Sequence, residues 1–349
     1  MQAAVWYDKK DVRVEDRFIQ ELSTDEVRIK VAWAGLCGSD LHEYLEGPIT
    51  IPVEKVDPLT GKKAPITMGH EFSGVVEEVG SNVNGYKKGD RVVVNPLLTH
   101  GIKSSKHDVY DGFNFIGLGQ DGGFAEYVVV PDKQIYPLPV TMSLEEGAMA
   151  EPTAVAVQAL KEGDFQTGQT VAVLGAGPIG LLTVAAAKAQ GAEDVVVFDL
   201  SESRLDMAKK IGATRIVNSG EEDPLEVLTK TYPDGFDVVI EAAGVEQTVN
   251  HAIKLTKTRG WMVIVSLFAH PVKIHPMDLI ASGVKITSSA AYEPSSFQKA
   301  LDLIASGAIN AKKIITNRIK LEKIVDEGFE ALTEDKTEVK ILLELSGEN

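Results

Sequence analysis

Two groups of residues in this chain have types and spacings that can do chemistry. The first is Gly175-Ala176-Gly177-Pro178-Ile179-Gly180, placed directly after the apolar run Val171–Leu174 and before the Ala- and Leu-rich stretch 181–190. In such a turn the first glycine permits the tight bend, the second lets the backbone approach a pyrophosphate, and the third lets the helix pack closely on the strand. The following helix offers free N–H groups and its positive end to the phosphates. A second apolar strand ends at Asp199, about 20 residues past the last glycine, where a carboxylate bonds a ribose 2′-hydroxyl and repels a 2′-phosphate. Together these features predict a dinucleotide site with a preference for NAD over NADP. Arg204, just beyond, is expected to pack on the adenosine.

The second group is Cys37-Gly38-Ser39-Asp40-Leu41-His42 together with Gly69-His70-Glu71, both at the ends of apolar strands. A thiolate, an imidazole and a carboxylate suit zinc, which accepts sulfur, nitrogen and oxygen tetrahedrally and leaves one position open when catalytic. Taken singly, each residue also has an ordinary reading: a lone cysteine as a small buried hydrophobe, a histidine beside a glutamate as a solvated or capping pair. His100, His107, His251, His270 and His275 have no matching partners in the sequence and are read as structural.

These groups need elements to hold them. Up to about residue 140 the chain runs in short β-rich segments broken by turns, which predicts a compact, barrel-like domain. A proline-rich insert, 46–67, interrupts it and is expected to cover the substrate. Ser143-Leu144-Glu145-Glu146 has the capping-box pattern of a helix start, in a helix expected to break near Pro152. From Val171 onward, strands alternate with helical stretches, predicting a Rossmann-type, doubly wound parallel sheet of about six strands. The fold class is therefore α/β. The expected boundaries are a first domain at 1–152, a dinucleotide-binding domain at 153–288, and a return to the first domain at 289–349.

Composition narrows the partners. The chain has 349 residues, 44% of them hydrophobic, and a formal charge of −16. That charge repels nucleic acid and anionic lipid, so a small neutral substrate fits better. No stretch has the roughly 18 apolar residues that a membrane helix needs, and the first residues carry no apolar signal segment. A single cysteine, Cys37, cannot form an internal disulfide, and the expected location is the cytoplasm.

The segments Gly35-Leu36-Cys37-Gly38-Ser39-Asp40, Gly69-His70-Glu71-Phe72-Ser73-Gly74, Gly89-Asp90-Arg91-Val92, Glu151-Pro152 and the glycine turn resemble, along essentially the whole chain, the zinc-dependent medium-chain alcohol and polyol dehydrogenases. The insert, with Ile274-His275-Pro276-Met277-Asp278 and Lys340-Ile341-Leu342, is most similar to the 2,3-butanediol (acetoin) dehydrogenases; sorbitol dehydrogenases match the insert less well. The resemblance implies a GroES-like catalytic domain beside the Rossmann domain. It implies Cys37, His70 and Glu151 as zinc ligands, with Glu71 as a carboxylate behind the metal or exchanging onto it. Ser39 would contact the substrate oxygen, His42 would end the proton path, and Val265 and Leu267 would lie beside the nicotinamide. It further implies a homo-oligomer, dimer or tetramer, acting on a small diol or hydroxyketone. Relatives often hold a second, structural zinc on four cysteines; here the corresponding stretch, 97–119, has none, so one zinc per subunit is expected. Tyr110, Phe113, Phe115 and Ile116 are expected to anchor that lobe instead, in preference to a metal on His100, His107, Asp108 or Asp111. Two other functions compete: a sorbitol- or xylitol-type polyol dehydrogenase, and a non-catalytic NAD-binding redox sensor.

Overall fold

A computed structural model describes residues 1–100, 109–335 and 337–347. It divides into two units, one formed by Met1–Glu151 with Ile315–Asn349 and the other by Pro152–Ile314. The first unit opens with β1 (Gln2–Asp8), β2 (Asp11–Asp16), β3 (Glu26–Gly35), α1 (Gly38–Glu46), β4 (Ile66–Thr67) and β5 (Glu71–Val79). It continues with β6 (Arg91–Val94), β7 (Leu97–Thr99), β8 (Phe113–Phe115), β9 (Tyr127–Pro131), β10 (Ile135–Pro137) and α2 (Leu144–Gly147).

Strand β3 explains why this unit holds together. Val27, Ile29 and Val31 are fully buried, while Arg28 and Lys30 between them are half-buried, the two-residue period of a strand with one face on the core. Each such buried side chain contributes about 1.5–3 kcal/mol, so a one-residue slip, which would turn the whole set outward, is strongly disfavoured. β3 pairs antiparallel with β5 on one side, and with β9 on the other. The Ser143 cap forms as expected: Ser143 N donates to Glu146 Oε2 at 2.8 Å and Glu146 N to Ser143 Oγ at 3.3 Å. The helix break differs. α2 ends at Gly147, and Pro152 lies in the first turn of α3 (Ala150–Glu162), where a helix has no use for the missing N–H.

The second unit contains β11 (Val171–Leu174), α4 (Pro178–Ala189), β12 (Val195–Asp199), α5 (Glu202–Ile211), β13 (Arg215–Asn218), α6 (Pro224–Thr231) and β14 (Phe236–Glu241). There follow α7 (Glu246–Leu255), β15 (Thr256–Ile264), α8 (Pro276–Ser282), β16 (Lys285–Ser288) and α9 (Pro294–Ala305). The strands make one parallel sheet in the order β13-β12-β11-β14-β15-β16. All four residues of β11 and the first four of β12 are buried, as strands covered on both faces must be. The order reverses between β11 and β14, and ligands of such sheets bind outside the strand ends at that switch point.

The expected return to the first domain at residue 289 comes later, after Ile314. Helix α9 stays with the second unit: its Phe297, Leu301 and Ile304 are buried, and Gln158 Oε1 of α3 accepts from Ser296 Oγ at 2.7 Å and from Glu293 N at 3.1 Å. An apolar helical stripe reveals that a helix has a core to cover, not which core. The chain then rejoins the first unit through β17 (Ile315–Lys320), a π-helical segment Ile324–Glu330, α10 (Ala331–Glu334) and β18 (Lys340–Glu344), which pairs with β3. Among the described residues no helix is long and apolar enough to cross a membrane.

Candidate metal centre and dinucleotide site

In the first unit, β3 ends at Gly35 and β5 begins at Glu71, the two strand ends paired in register. Cys37 caps the N-terminus of α1, and His70 stands just ahead of β5. In a regular strand consecutive side chains point to opposite faces. Before β5 the backbone bends at Gly69, with φ +96°, where a Cβ would fall 2.3 Å from the Phe124 ring. His70, still outside the regular strand, brings a ring nitrogen to the same place as the Glu71 carboxylate. Among the described residues, Cys37, His70 and Glu71 form the one group of three potential metal ligands, with ligand atoms within 4.8 Å of one another.

The surroundings suit a cation. Asp40 is fully buried; its Oδ2 accepts from Cys37 N at 3.0 Å, and its Oδ1 lies 3.4 Å from His70 Nδ1. A proton on Nδ1 facing Asp40 leaves Nε2 as the free lone pair, the arrangement that orients a metal-binding imidazole. Burial alone would lower the pKa of His70, but the negative charges of Asp40 and Cys37 raise it well above its ordinary value. Glu71 is also fully buried: Lys340 Nζ donates to its Oε2 and to Leu36 O at 2.8 Å, whereas its Oε1 has no hydrogen-bond partner. An orphaned buried carboxylate oxygen is costly unless something cationic meets it. Sulfur, nitrogen and oxygen donors at this spacing, with negative charge behind them, fit zinc.

Ser39 and His42 lie on α1, three positions apart and hence neighbours on one helix face. Ser39 Oγ is 3.3 Å from His70 Nε2, beside the ligand group, and His42 is half-buried toward solvent.

The second unit builds the dinucleotide site at its switch point. Gly175 has φ +102°, and a Cβ on Gly180 would lie 1.9 Å from Gly175 O, so neither position admits a side chain. A Cβ on Gly177 would meet nothing within 4 Å, which leaves open space where a pyrophosphate approaches. Gly177 is the N-cap of α4, no side chain caps that helix, and Pro178 follows. The next N–H groups are thus left for a phosphate. Asp199 Oδ2 accepts from Ala176 N at 2.6 Å, tying the acid to the glycine turn. The turn and the acid together fit a dinucleotide.

Residues 23–140 match the alcohol dehydrogenase GroES-like domain and residues 178–306 the zinc-binding dehydrogenase domain. The chain is 43% identical to (R,R)-butanediol dehydrogenase of Bacillus subtilis (strain 168), over 98% of this chain and 99% of that protein. The crystal structure of 2R,3R-butanediol dehydrogenase from Bacillus subtilis superposes with a TM-score of 0.93 at 42% identity, covering 98% of this chain and 99% of that one. The chain belongs to the zinc-dependent alcohol dehydrogenases. Sorbitol dehydrogenase of Bacillus subtilis (strain 168) is 34% identical over 95% of this chain and 94% of that protein.

In this dehydrogenase the expected ligand set and the observed group differ by one carboxylate. Glu71 is in the group; Glu151 is buried in the first turn of α3 and is felt by charge at Lys340, but is not one of the three. Arg204 lies on α5, and Val265 and Leu267 follow β15, at the carboxyl edge of the sheet. The lobe without cysteines is held in part as expected, with polar links added. Ile116 is fully buried and Phe115 packs on the His70 ring at 5.6 Å, whereas Tyr110 is 63% exposed. Asn114, buried, donates to Asp57 Oδ2 of the insert at 2.7 Å, and Thr60 Oγ1 to Gly119 O at 2.7 Å. His107 and Asp108 lie outside the described residues.

Sequence reasoning missed Asp40, Lys340 and the Asp57–Asn114 link. A lysine inside the apolar run of β18 was a readable signal for Lys340, because a charge there needs a buried partner. Nothing local marked the pairing of Asp57 with Asn114.

Proposed function

We propose that this dehydrogenase uses NAD and one zinc ion per subunit to interconvert 2,3-butanediol and acetoin. The observation that carries the reading is the Cys37–His70–Glu71 group, its histidine and glutamate buried and its cysteine half-buried, with ligand atoms within 4.8 Å, in a chain 43% identical to a butanediol dehydrogenase. We assign Cys37 Sγ, His70 Nε2 and Glu71 Oε1 as the ligands, and leave Glu151 out of the set. Bound there, zinc supplies a Lewis acid that lowers the pKa of the substrate hydroxyl. NAD, when bound at the glycine turn, would supply the hydride acceptor. The chain's own residues handle the proton: Ser39 Oγ takes it from the hydroxyl, and His42, next on the same helix face, delivers it to water.

Asp199 favours NAD over NADP by bonding the ribose and repelling a 2′-phosphate. The insert, with Ile49 and Val53 exposed, favours a short methylated diol over a long polyol. An exposed apolar surface on α8 and the edge strand β16, including Ile280 at 73% and Ile286 at 39% exposure, supports a homo-oligomer. A cytoplasmic location keeps Cys37 reduced.

Elemental analysis of purified protein is expected to find one zinc per chain. Cys37→Ala and Glu71→Ala should lose the metal together with NADH-linked reduction of acetoin, while Glu151→Ala keeps it. Two firmly held zincs, or loss on Glu151→Ala with retention on Glu71→Ala, overturns the assignment.

A further inference from the structure

A carboxylate with no part in the scheme above sits at the centre of the second unit. Glu241 is the last residue of β14 and is fully buried. A buried charge is tolerated only when its lone pairs are met. Here they are: Oε1 accepts from Ala243 N at 3.0 Å, Gly244 N at 2.8 Å and Thr248 Oγ1 at 2.7 Å, and Oε2 accepts from Ser266 Oγ. One side chain thus ties together the turn after β14, the first turn of α7 and the segment leaving β15.

The main chain of the same residues is committed too. Ala242 N donates to Leu174 O at 2.8 Å, and Val265 N to Glu241 O at 3.0 Å. Gly244 has φ +75°, and a Cβ on it would lie 2.5 Å from Leu267 O, so the turn and the segment after β15 are in direct contact. Helix α7 has Val245 as its N-cap and no capping side chain of its own at that position. Glu241 reaches across from the strand to hold the turn that precedes the helix and the Thr248 hydroxyl in its first turn, and adds a link to Ser266 that a local cap would not give.

The position of this cluster gives it a consequence for binding. In a doubly wound sheet the two strand halves each take one mononucleotide. The half β11-β12-β13 carries the glycine turn and Asp199, the adenosine side. Glu241 and Ser266 stand at the carboxyl edge of the other half, β14-β15-β16, just across the switch point.

Resting on the NAD reading above, we propose that Glu241, acting through Ser266, is the positioning residue for the nicotinamide half of the dinucleotide site. It sets the walls at 242–244 and 265–267 before the cofactor arrives, so that binding does not have to order them.

The test is a comparison of two ligands on the zinc-replete, full-length protein: NADH, which needs both halves, and ADP-ribose, which lacks the nicotinamide. Calorimetric titration should show Ser266→Ala weakening NADH by about tenfold while ADP-ribose changes by less than about twofold. Glu241→Ala should widen the split, and Glu241→Gln, which keeps a carbonyl acceptor for the turn, should recover part of it. A purely structural role would weaken both ligands alike. Equal weakening of both by Ser266→Ala, or of neither, overturns the proposal even if Glu241→Ala fails to fold. A wild-type protein that binds neither ligand overturns the NAD reading itself, and this inference with it.

Discussion

At the scale of single residues, Asp199 is the residue to which we assign the proposed cofactor preference. Its Oδ1 accepts from Ser201 N at 2.8 Å and its Oδ2 from the glycine turn, so the carboxylate is held in place rather than swinging free. Asp199→Ser should narrow the ratio of kcat/KM for NAD over NADP, by removing both the ribose acceptor and the repulsion of a 2′-phosphate. A wild-type protein that already prefers NADP would refute that role. Cys37, His70 and Asp199 were legible in the sequence because each belongs to a short stretch whose neighbours imply its local geometry: a strand end, a turn, a helix start. Lys340 and Glu71 were not legible as a pair. They meet only because β18 joins β3 after the chain has passed through the other unit, a separation of 269 residues. The same holds for Glu241 and Ser266, which depend on β14 and β15 lying side by side. Burial of a charge is a tertiary fact, visible in sequence only as an ionisable residue in an apolar run.

At the scale of elements, α1 matters most, since it presents Cys37, Ser39 and His42 on one short helix. Three side chains, Glu43, Trp6 and Tyr44, fix it. Glu43 Oε2 accepts from Ile49 N at 3.0 Å and its Oε1 from Ile51 N at 3.1 Å, tying the helix to the insert. Trp6 Nε1 donates to Glu43 O at 3.0 Å. Tyr44 stacks on Phe329 at 4.7 Å and donates its hydroxyl to Glu330 Oε1 at 2.6 Å, on the π-helical segment. Burial first, then the Glu330 hydrogen bond and charge, push the Tyr44 pKa from 10.0 up to about 12. A raised pKa means the folded state holds the proton more tightly than the unfolded one. The contribution is therefore complete below pH 10 and is lost as pH rises through about 12. Denaturant titrations across that window should show wild-type stability falling more steeply than that of Tyr44→Phe, and parallel curves would contradict the contact. Periodicity found these elements well where one face met one core, as in β3. It misassigned α9, because amphipathicity says nothing about which of two cores a helix covers.

At the scale of the whole molecule, the acidic composition and the two units agree with an enzyme for a small neutral substrate, and the exposed apolar side chains of α8 and β16 carry the proposed homo-oligomer. Sedimentation should find a dimer or tetramer for the wild type, and Ile280→Asp should shift it toward monomer, since a charge in an apolar contact is left unpaired when it is buried. An unchanged assembly would place the interface elsewhere. The central claim concerns the substrate, and one measurement bears on it most directly: kcat/KM with NAD, on zinc-replete protein, for each 2,3-butanediol stereoisomer against sorbitol and xylitol. A pocket shaped for a short methylated diol discriminates by about tenfold or more, so at least one butanediol stereoisomer should exceed both polyols by that margin. Sorbitol or xylitol turning over faster than every butanediol stereoisomer would contradict the account.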